Sequence, residues 1–279
     1  MAVIAMTREM ATLGKDVAAG VAERLNLEVV HHELVEHDIS LRAGMRESEV
    51  HRFLEGESSL FERWKIDGTR MSRYTAEEIL ALAAKGNVLI RGWGAGYLLR
   101  SVPHVVSVRI CAPMPFREQV LMTRLGTQDR AAARREIERN DAGHNGTMQR
   151  MFGIDWKDAA HYAIVLNTAR VPVEECVEYL VRASESPAFQ ETAQSRGALM
   201  DELSLSRVRA VLDRSFGSGT TTLGGIDATA SAGRVTLSGA AISEERLILE
   251  VIRLVGDVEG VTAVDDNIIR IPYRSGAWS

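Results

Sequence analysis

Short apolar runs set apart by helical stretches constrain the possible folds of this chain more than any other feature. Residues 3–6, 88–90, 105–111 and 163–166 are short and apolar, with many β-branched residues, and so read as buried strands. The stretches between them carry helical periodicity. From about residue 14 to 25, Val17, Val21, Ala22 and Leu25 recur on one face. A second helix is predicted to start at Thr75, where Thr75 and Glu78 form a capping box ahead of Ile79, Leu80 and Leu82. Gly86-Asn87 then hands over to the run at 88–90, a candidate central strand. Residues 131–140 form a charged helical stretch, and residues 173–183 read as a closing helix. Between 131–140 and the last strand, Asp141-Ala142-Gly143-His144-Asn145-Gly146 reads as a polar turn, either a mobile lid or an ordinary surface connection. Strands alternating with helices favour a parallel α/β sheet flanked by helices.

Composition shifts at Ser184-Glu185-Ser186-Pro187, and a polar run follows to Arg196. We read residues 1–183 as one domain, 184–200 as a linker, 201–273 as a second domain and 274–279 as a tail. The second domain has its own rhythm. A helix bears Leu203, Val208, Val211 and Leu212, and Gly217-Ser218-Gly219 follows it; strands are predicted at 225–230 and 234–238 about a turn at 231–233. A helix from Ser243, with Glu244 and Glu245 against its dipole, precedes a last strand at 261–271. The order is α-β-β-α-β, a small α+β unit.

No apolar run approaches the roughly 18 residues of a membrane helix. Residues 1–6 meet Arg8, Glu9 and Lys15 too soon for a signal-peptide core, so a cytoplasmic location is expected and a transmembrane one is not. Cys111 and Cys176 each sit in an apolar stretch and read as buried thiols. The net charge of -5 argues against general nucleic-acid binding. Of the 33 basic residues 29 are Arg, which suits local, bidentate phosphate contacts.

The first strand–turn–helix unit supplies parts of a phosphate-binding loop. Such a loop needs converging amides, a Lys for phosphoryl oxygens and a Ser or Thr for Mg²⁺. Thr7-Arg8-Glu9-Met10-Ala11-Thr12-Leu13-Gly14-Lys15-Asp16 puts Gly14 and Lys15 where Gly-Lys is wanted. Glu9, however, takes the first Gly position, and Asp16 takes that of the Ser or Thr.

That stretch as a whole, on to Leu25-Asn26-Leu27, resembles the opening of the cytidylate kinase-like family. The resemblance continues at Val88-Leu89-Ile90-Arg91-Gly92, at Arg117 and Arg124, and at 133–141. It extends to Phe152-Gly153-Ile154-Asp155-Trp156 and to Tyr162-Ala163-Ile164-Val165-Leu166-Asn167-Thr168. It implies a P-loop-type fold, ATP and Mg²⁺ as cofactors, and a nucleotide, in that family a pyrimidine nucleoside monophosphate, as partner. By the same resemblance Arg8, Thr12, Gly14, Lys15 and Asp16 would hold the donor, Asp16 would approach the metal, and Lys15, Arg117, Arg124 and Arg139 would serve catalysis. For each Arg a solvated helix face is the alternative.

The chain departs from the family in places. Gly92-Trp93 stands where Gly-Arg is usual, no acidic residue opens His31-His32-Glu33-Leu34, and His144 stands near where a lid Arg is expected. A second reading follows, in which the site has decayed and the chain acts as a pseudokinase-type scaffold or sensor through protein or lipid interaction. His31-His32-Glu33-Leu34-Val35-Glu36-His37 misses both zincin spacings and reads as a polar helix start. Trp64, Trp93 and Trp156 are too scattered for a stacking platform and read as core or pocket wall.

In the second domain, Val235-Thr236-Leu237-Ser238-Gly239, the helix at 244–255 and Val258-Glu259-Gly260-Val261-Thr262-Ala263-Val264-Asp265-Asp266-Asn267-Ile268 together resemble a BON domain. That resemblance implies a protein or phospholipid ligand and no catalytic residues. Between Leu203 and Tyr273 lie seven Arg, no Lys and nine acidic residues, which favours a regulatory or protein-binding module over docking on anionic lipid.

Overall fold

The computed structural model describes residues 1–30, 36–37, 39–41, 44–54, 68–92, 94–216, 226–241 and 245–270. The chain divides into two compact units, Met1–Ser195 and Arg196–Ser279. Expectations at 31–35, Trp64, Trp93, 217–219, Ser243 and the tail lie outside the described residues.

In the first unit the elements run β1 Val3–Arg8, α1 Gly14–Leu25, β2 Glu28–Val30, α2 Glu47–Leu54, α3 Gly68–Lys85, β3 Val88–Arg91, α4 Ala95–Leu98 and β4 Val105–Cys111. There follow α5 Met114–Leu125, α6 Arg130–Phe152, a 3₁₀ turn Ala159–His161, β5 Ile164–Asn167, α7 Val173–Glu185 and a 3₁₀ turn Pro187–Phe189. The five strands form an all-parallel sheet ordered β2-β3-β1-β4-β5. The parallel α/β expectation holds. The register sets Ile4 against Val106 and Met6 against Val108, so period-2 alternation sends these side chains to one face. There they meet Val17, Ala18 and Val21 of α1 and Cys176, Val177 and Leu180 of α7. Each such side chain contributes about 1.5–3 kcal/mol when fully buried. β1 lies between β3 and β4, so the chain leaves its C-terminal end at the point where strand order reverses, where ligands bind in open α/β sheets.

Two expectations give way here. α3 begins at Gly68, so Thr75 does not cap it; Thr75 lies inside the helix, where its Oγ1 donates to the Met71 carbonyl at 2.8 Å. The polar stretch 141–146 is the interior of the continuous 23-residue α6, not a turn. Burial of Asp141, Thr147 and Met148 outweighs the weak helix propensity of Gly143, Asn145 and Gly146. The stretch 184–200, read as a linker, carries the end of α7, the second 3₁₀ turn and the start of a further helix, and the division between the two units falls within it. Cys176 is buried, whereas Cys111 is half-buried at the end of β4, its thiol pushed up by burial.

That further helix, α8, spans Ala193–Phe216; β6 Asp227–Ser231, β7 Arg234–Ala241, α9 Glu245–Gly256 and β8 Ala263–Arg270 complete the order α-β-β-α-β. β6 and β7 are antiparallel and joined through Ala232 and Gly233, with φ of 52° and 77°, the signature of a tight primed turn. The Asp201 carboxylate braces this turn by accepting from both amides at 2.8 Å. β8 pairs parallel with β7. Val208, Val235, Leu237, Ile248, Val251, Val255 and Ile268 form a separate core. Among the described residues no helix is long and apolar enough to cross a membrane.

Candidate active site

Residues 9–13 connect β1 to α1 at the strand-order reversal. Ala11 and Leu13 have φ of 59° and 56°, a region that costs a residue with a Cβ roughly 1–2 kcal/mol. Such strain persists only where neighbours hold it. Thr12 Oγ1 donates to the Glu9 carbonyl at 2.8 Å, and Thr168 Oγ1, from beyond β5, donates to the Thr12 carbonyl at 2.7 Å. The amides of Asp16 and Val17 donate to the Leu13 carbonyl at 3.0 and 3.1 Å. The amides of Met10, Ala11, Thr12, Leu13 and Gly14 donate to no acceptor among the described residues. Yet Ala11 and Thr12 are each only 1% exposed. A run of unpaired amides with residues in the left-handed region, opening a helix, is the backbone arrangement that attracts an anion. Gly14 is required there, since a Cβ on it would lie 2.9 Å from Cβ of Arg8.

Beneath the loop, side chains of alternating charge form a buried chain. Arg117, 3% exposed on α5, donates through Nε to the Met10 carbonyl at 2.7 Å and through Nη1 and Nη2 to Asp141 at 2.9 and 2.7 Å. Its Nη1 also lies 3.4 Å from Glu9 Oε2. Glu9 pairs in turn with Arg109 of β4 and accepts from the Ala112 amide at 3.4 Å. At the other end Lys157 Nζ donates to Asp141 at 3.3 Å. Burial opposes ionisation of Asp141, but the hydrogen bonds and charge of Arg117, with Lys157, outweigh it and hold the carboxyl below its ordinary range. The network ties the loop backbone to α6.

A cavity of about 110 Å³ opens at the C-terminal ends of β1 and β3. Thr7 and Arg8 reach it from β1, Arg91 from the end of β3 and Gly92 from just beyond it. α6 adds His144, Thr147, Met148, Met151 and Phe152, one helix face at i, i+3, i+4, i+7 and i+8. Tyr97, Trp156 and Tyr162 complete an aromatic wall. The Tyr97 and Phe152 ring centroids lie 5.6 Å apart, and His144 meets Trp156 edge-on at 5.5 Å. Tyr162 donates to the Trp156 carbonyl at 2.7 Å, and burial pushes its phenol up although a hydrogen bond with Thr7 favours ionisation. Gly94, at φ 70°, allows this packing: a Cβ there would lie 2.7 Å from the Phe152 ring.

Of the residues marked by the sequence, Arg8 lines the cavity, Thr12 belongs to the loop and Gly14 opens α1 at the loop's end. Lys15 and Asp16 are exposed on the first turn of α1. Asp16 is not part of any group of three metal-binding side chains; none exists among the described residues. The resemblance implies a phosphate contact for Arg117, whereas its guanidinium is engaged under the loop. Arg124 is exposed at the end of α5, and Arg139 is exposed on α6 and pairs with Glu136; neither lines the cavity. Arg91, Phe152 and Tyr162 stood in family-like segments with no role read for them, whereas Trp156 was read as core or pocket wall and is both buried and part of the lining. Thr147, Met148 and Met151 were legible only through helical spacing, which the polar-turn reading of 141–146 concealed.

No curated protein matches the chain by sequence. Among solved structures, the chain is similar to an uncharacterized protein from Eubacterium ventriosum, 19% identical, covering 67% of this chain and 99% of that one with a TM-score of 0.51. That likeness bears on the fold alone. A sugar kinase from a Janibacter species, in an unliganded structure, is 17% identical over 69% of this chain and 99% of that one, with a TM-score of 0.39. The family model of the cytidylate kinase-like family matches residues 3–170, which takes in the strained loop, the buried charge network and every wall of the cavity, and the chain belongs to that family.

Proposed function

We propose that the first unit binds ATP through the 9–14 loop and transfers its terminal phosphoryl group to a pyrimidine nucleoside monophosphate. The observation that carries this reading is the run of five amides, Met10 to Gly14, without an acceptor among the described residues. Buried amides left unpaired are costly, and a polyphosphate supplies oxygens for several at once. Phosphoryl transfer asks little covalent chemistry of the protein beyond positioning and charge neutralisation. An acceptor phosphate oxygen bonds to the terminal phosphorus as the bond to the bridging oxygen breaks, leaving ADP and a nucleoside diphosphate.

In this reading the Glu9–Arg117–Asp141 network holds the loop's shape, and Lys15, at the start of α1, adds positive charge at the donor phosphates. Arg8 and Arg91, at the ends of adjacent strands, face the acceptor end of the cavity. Exposed Asp16, with phosphate oxygens, would hold Mg²⁺; such an ion is commonly bound by one or two carboxylates and its substrate. It would neutralise charge on the transferring group. The α-β-β-α-β order and the Gly260-Val261 turn support a BON-like regulatory or anchoring role for the second unit, with a protein ligand favoured over phospholipid by its acidic balance. A nucleotide kinase of this kind would act in the cytoplasm.

Asp16 favours a second reading. A carboxylate in place of the usual hydroxyl repels a triphosphate, which suits a scaffold or sensor that binds nucleotide without turnover. A coupled assay of ADP release with ATP, Mg²⁺ and CMP or dCMP separates the two. Turnover that Lys15→Ala abolishes removes the binding-only reading; ATP binding without turnover of either acceptor removes the kinase reading.

A further inference from the structure

We infer that Trp156 reads the base of the nucleotide held in the cavity, its indole Nε1–H donating to a carbonyl or ring nitrogen of that base. This rests on the proposed nucleotide-binding reading and goes beyond it by naming the residue that recognises the base. Trp156 is 3% exposed and lines the cavity. Its Nε1 is buried and has no hydrogen-bond partner, unusual for a group that normally finds one. Two other contacts hold the residue. Its carbonyl accepts from the Tyr162 hydroxyl at 2.7 Å, and its ring meets His144 at 5.5 Å. The donor is therefore held in place, beside aromatic walls that suit a flat ring and strand-end arginines that suit a phosphate. A nucleoside monophosphate unites those three chemistries: a flat ring, an acceptor atom on its edge and an anion.

The test is the affinity of CMP, by calorimetry, for the wild type and for Trp156→Phe, which keeps a smaller aromatic ring in place and removes the donor. CMP binding about tenfold weaker in the variant, with ATP affinity retained, is expected for one lost hydrogen bond. Unchanged CMP affinity overturns the inference, as does an equal loss for CMP and ATP, which would mark a structural role. Should Trp156→Phe not fold, the protein carrying Trp64→Phe, Trp93→Phe and Trp278→Phe retains Trp156 as its one indole. Its N–H resonance should then move downfield on adding CMP; a resonance that stays put overturns the inference. Absence of CMP binding by the wild type overturns it too, and ATP titration of the same sample shows separately whether the phosphate-loop reading stands.

Discussion

Replacing Arg117 with alanine should destabilise the first unit more than any exposed Arg could. The guanidinium makes the bidentate contact with Asp141, at 2.9 and 2.7 Å, and the hydrogen bond to the Met10 carbonyl at 2.7 Å, with both Arg117 and Asp141 under 10% exposed. Removing one partner of a buried pair costs about 3–5 kcal/mol, because the other charge stays buried. Asp141 keeps only Lys157, whose side chain is 45% exposed, and Glu9 keeps Arg109. For a unit the size of Met1–Ser195, each kcal/mol moves the melting temperature by about 2–4 °C, so the transition should fall by about 6–20 °C. Differential scanning calorimetry reads this directly. A cycle with Asp141→Asn isolates the pair: the coupling should be at least about 1 kcal/mol. Freed from Arg117, the Met10 carbonyl should let the loop relax and ATP affinity fall. A loss below about 1 kcal/mol with additive single variants would refute the claim that this network holds the loop.

Two further predictions concern its neighbours. Because the Asp141 carboxyl is depressed from 3.8 in the folded state, its stabilisation is complete above that value and lost as pH falls through the folded pKa. The stability gap between wild type and Asp141→Asn, followed by urea denaturation, should thus be constant near neutrality and shrink below pH 3.8; a gap that widens in acid would contradict the pairing. Gly94→Ala places a Cβ at φ 70° and 2.7 Å from Phe152, combining backbone strain of roughly 1–2 kcal/mol with overpacking of roughly 1–3. A urea midpoint corresponding to less than about 1 kcal/mol lost would mean that the cavity wall yields freely.

Much of the sheet was legible because its central strands, β1, β3 and β4, are continuous buried apolar runs, whereas the short edge strand β2, with Glu28 exposed, was not read. β3 and β4 fall where Val88, Leu89 and Ile90 and the run at 105–111 predicted them. Helix boundaries were harder. Thr75 and Glu78 spell a capping box, yet tertiary packing carries α3 back to Gly68, and the Thr75 hydroxyl finds a carbonyl within the helix. At 141–146, Gly and Asn spell a turn, but Asp141 has Arg117 as a partner 24 residues away, and that non-local bond leaves no mark in the local sequence. The same blindness hid the site. Arg117 reads as a solvated charge on an amphipathic helix until Glu9 and Asp141 arrive from other segments. The loop residues were recognisable through Gly14 and Lys15, whereas the left-handed conformations of Ala11 and Leu13 could not be read from residues that ordinarily avoid them.

The central claim is that the 9–14 loop is a phosphate site, and calorimetric titration of ATP, with and without Mg²⁺, into the wild type and Lys15→Ala tests it most directly. Saturable binding by the wild type that is lost or greatly weakened in the variant is the predicted result. A wild type that takes up no ATP in either condition would contradict it, leaving the five amides of the loop without the anion that their geometry calls for.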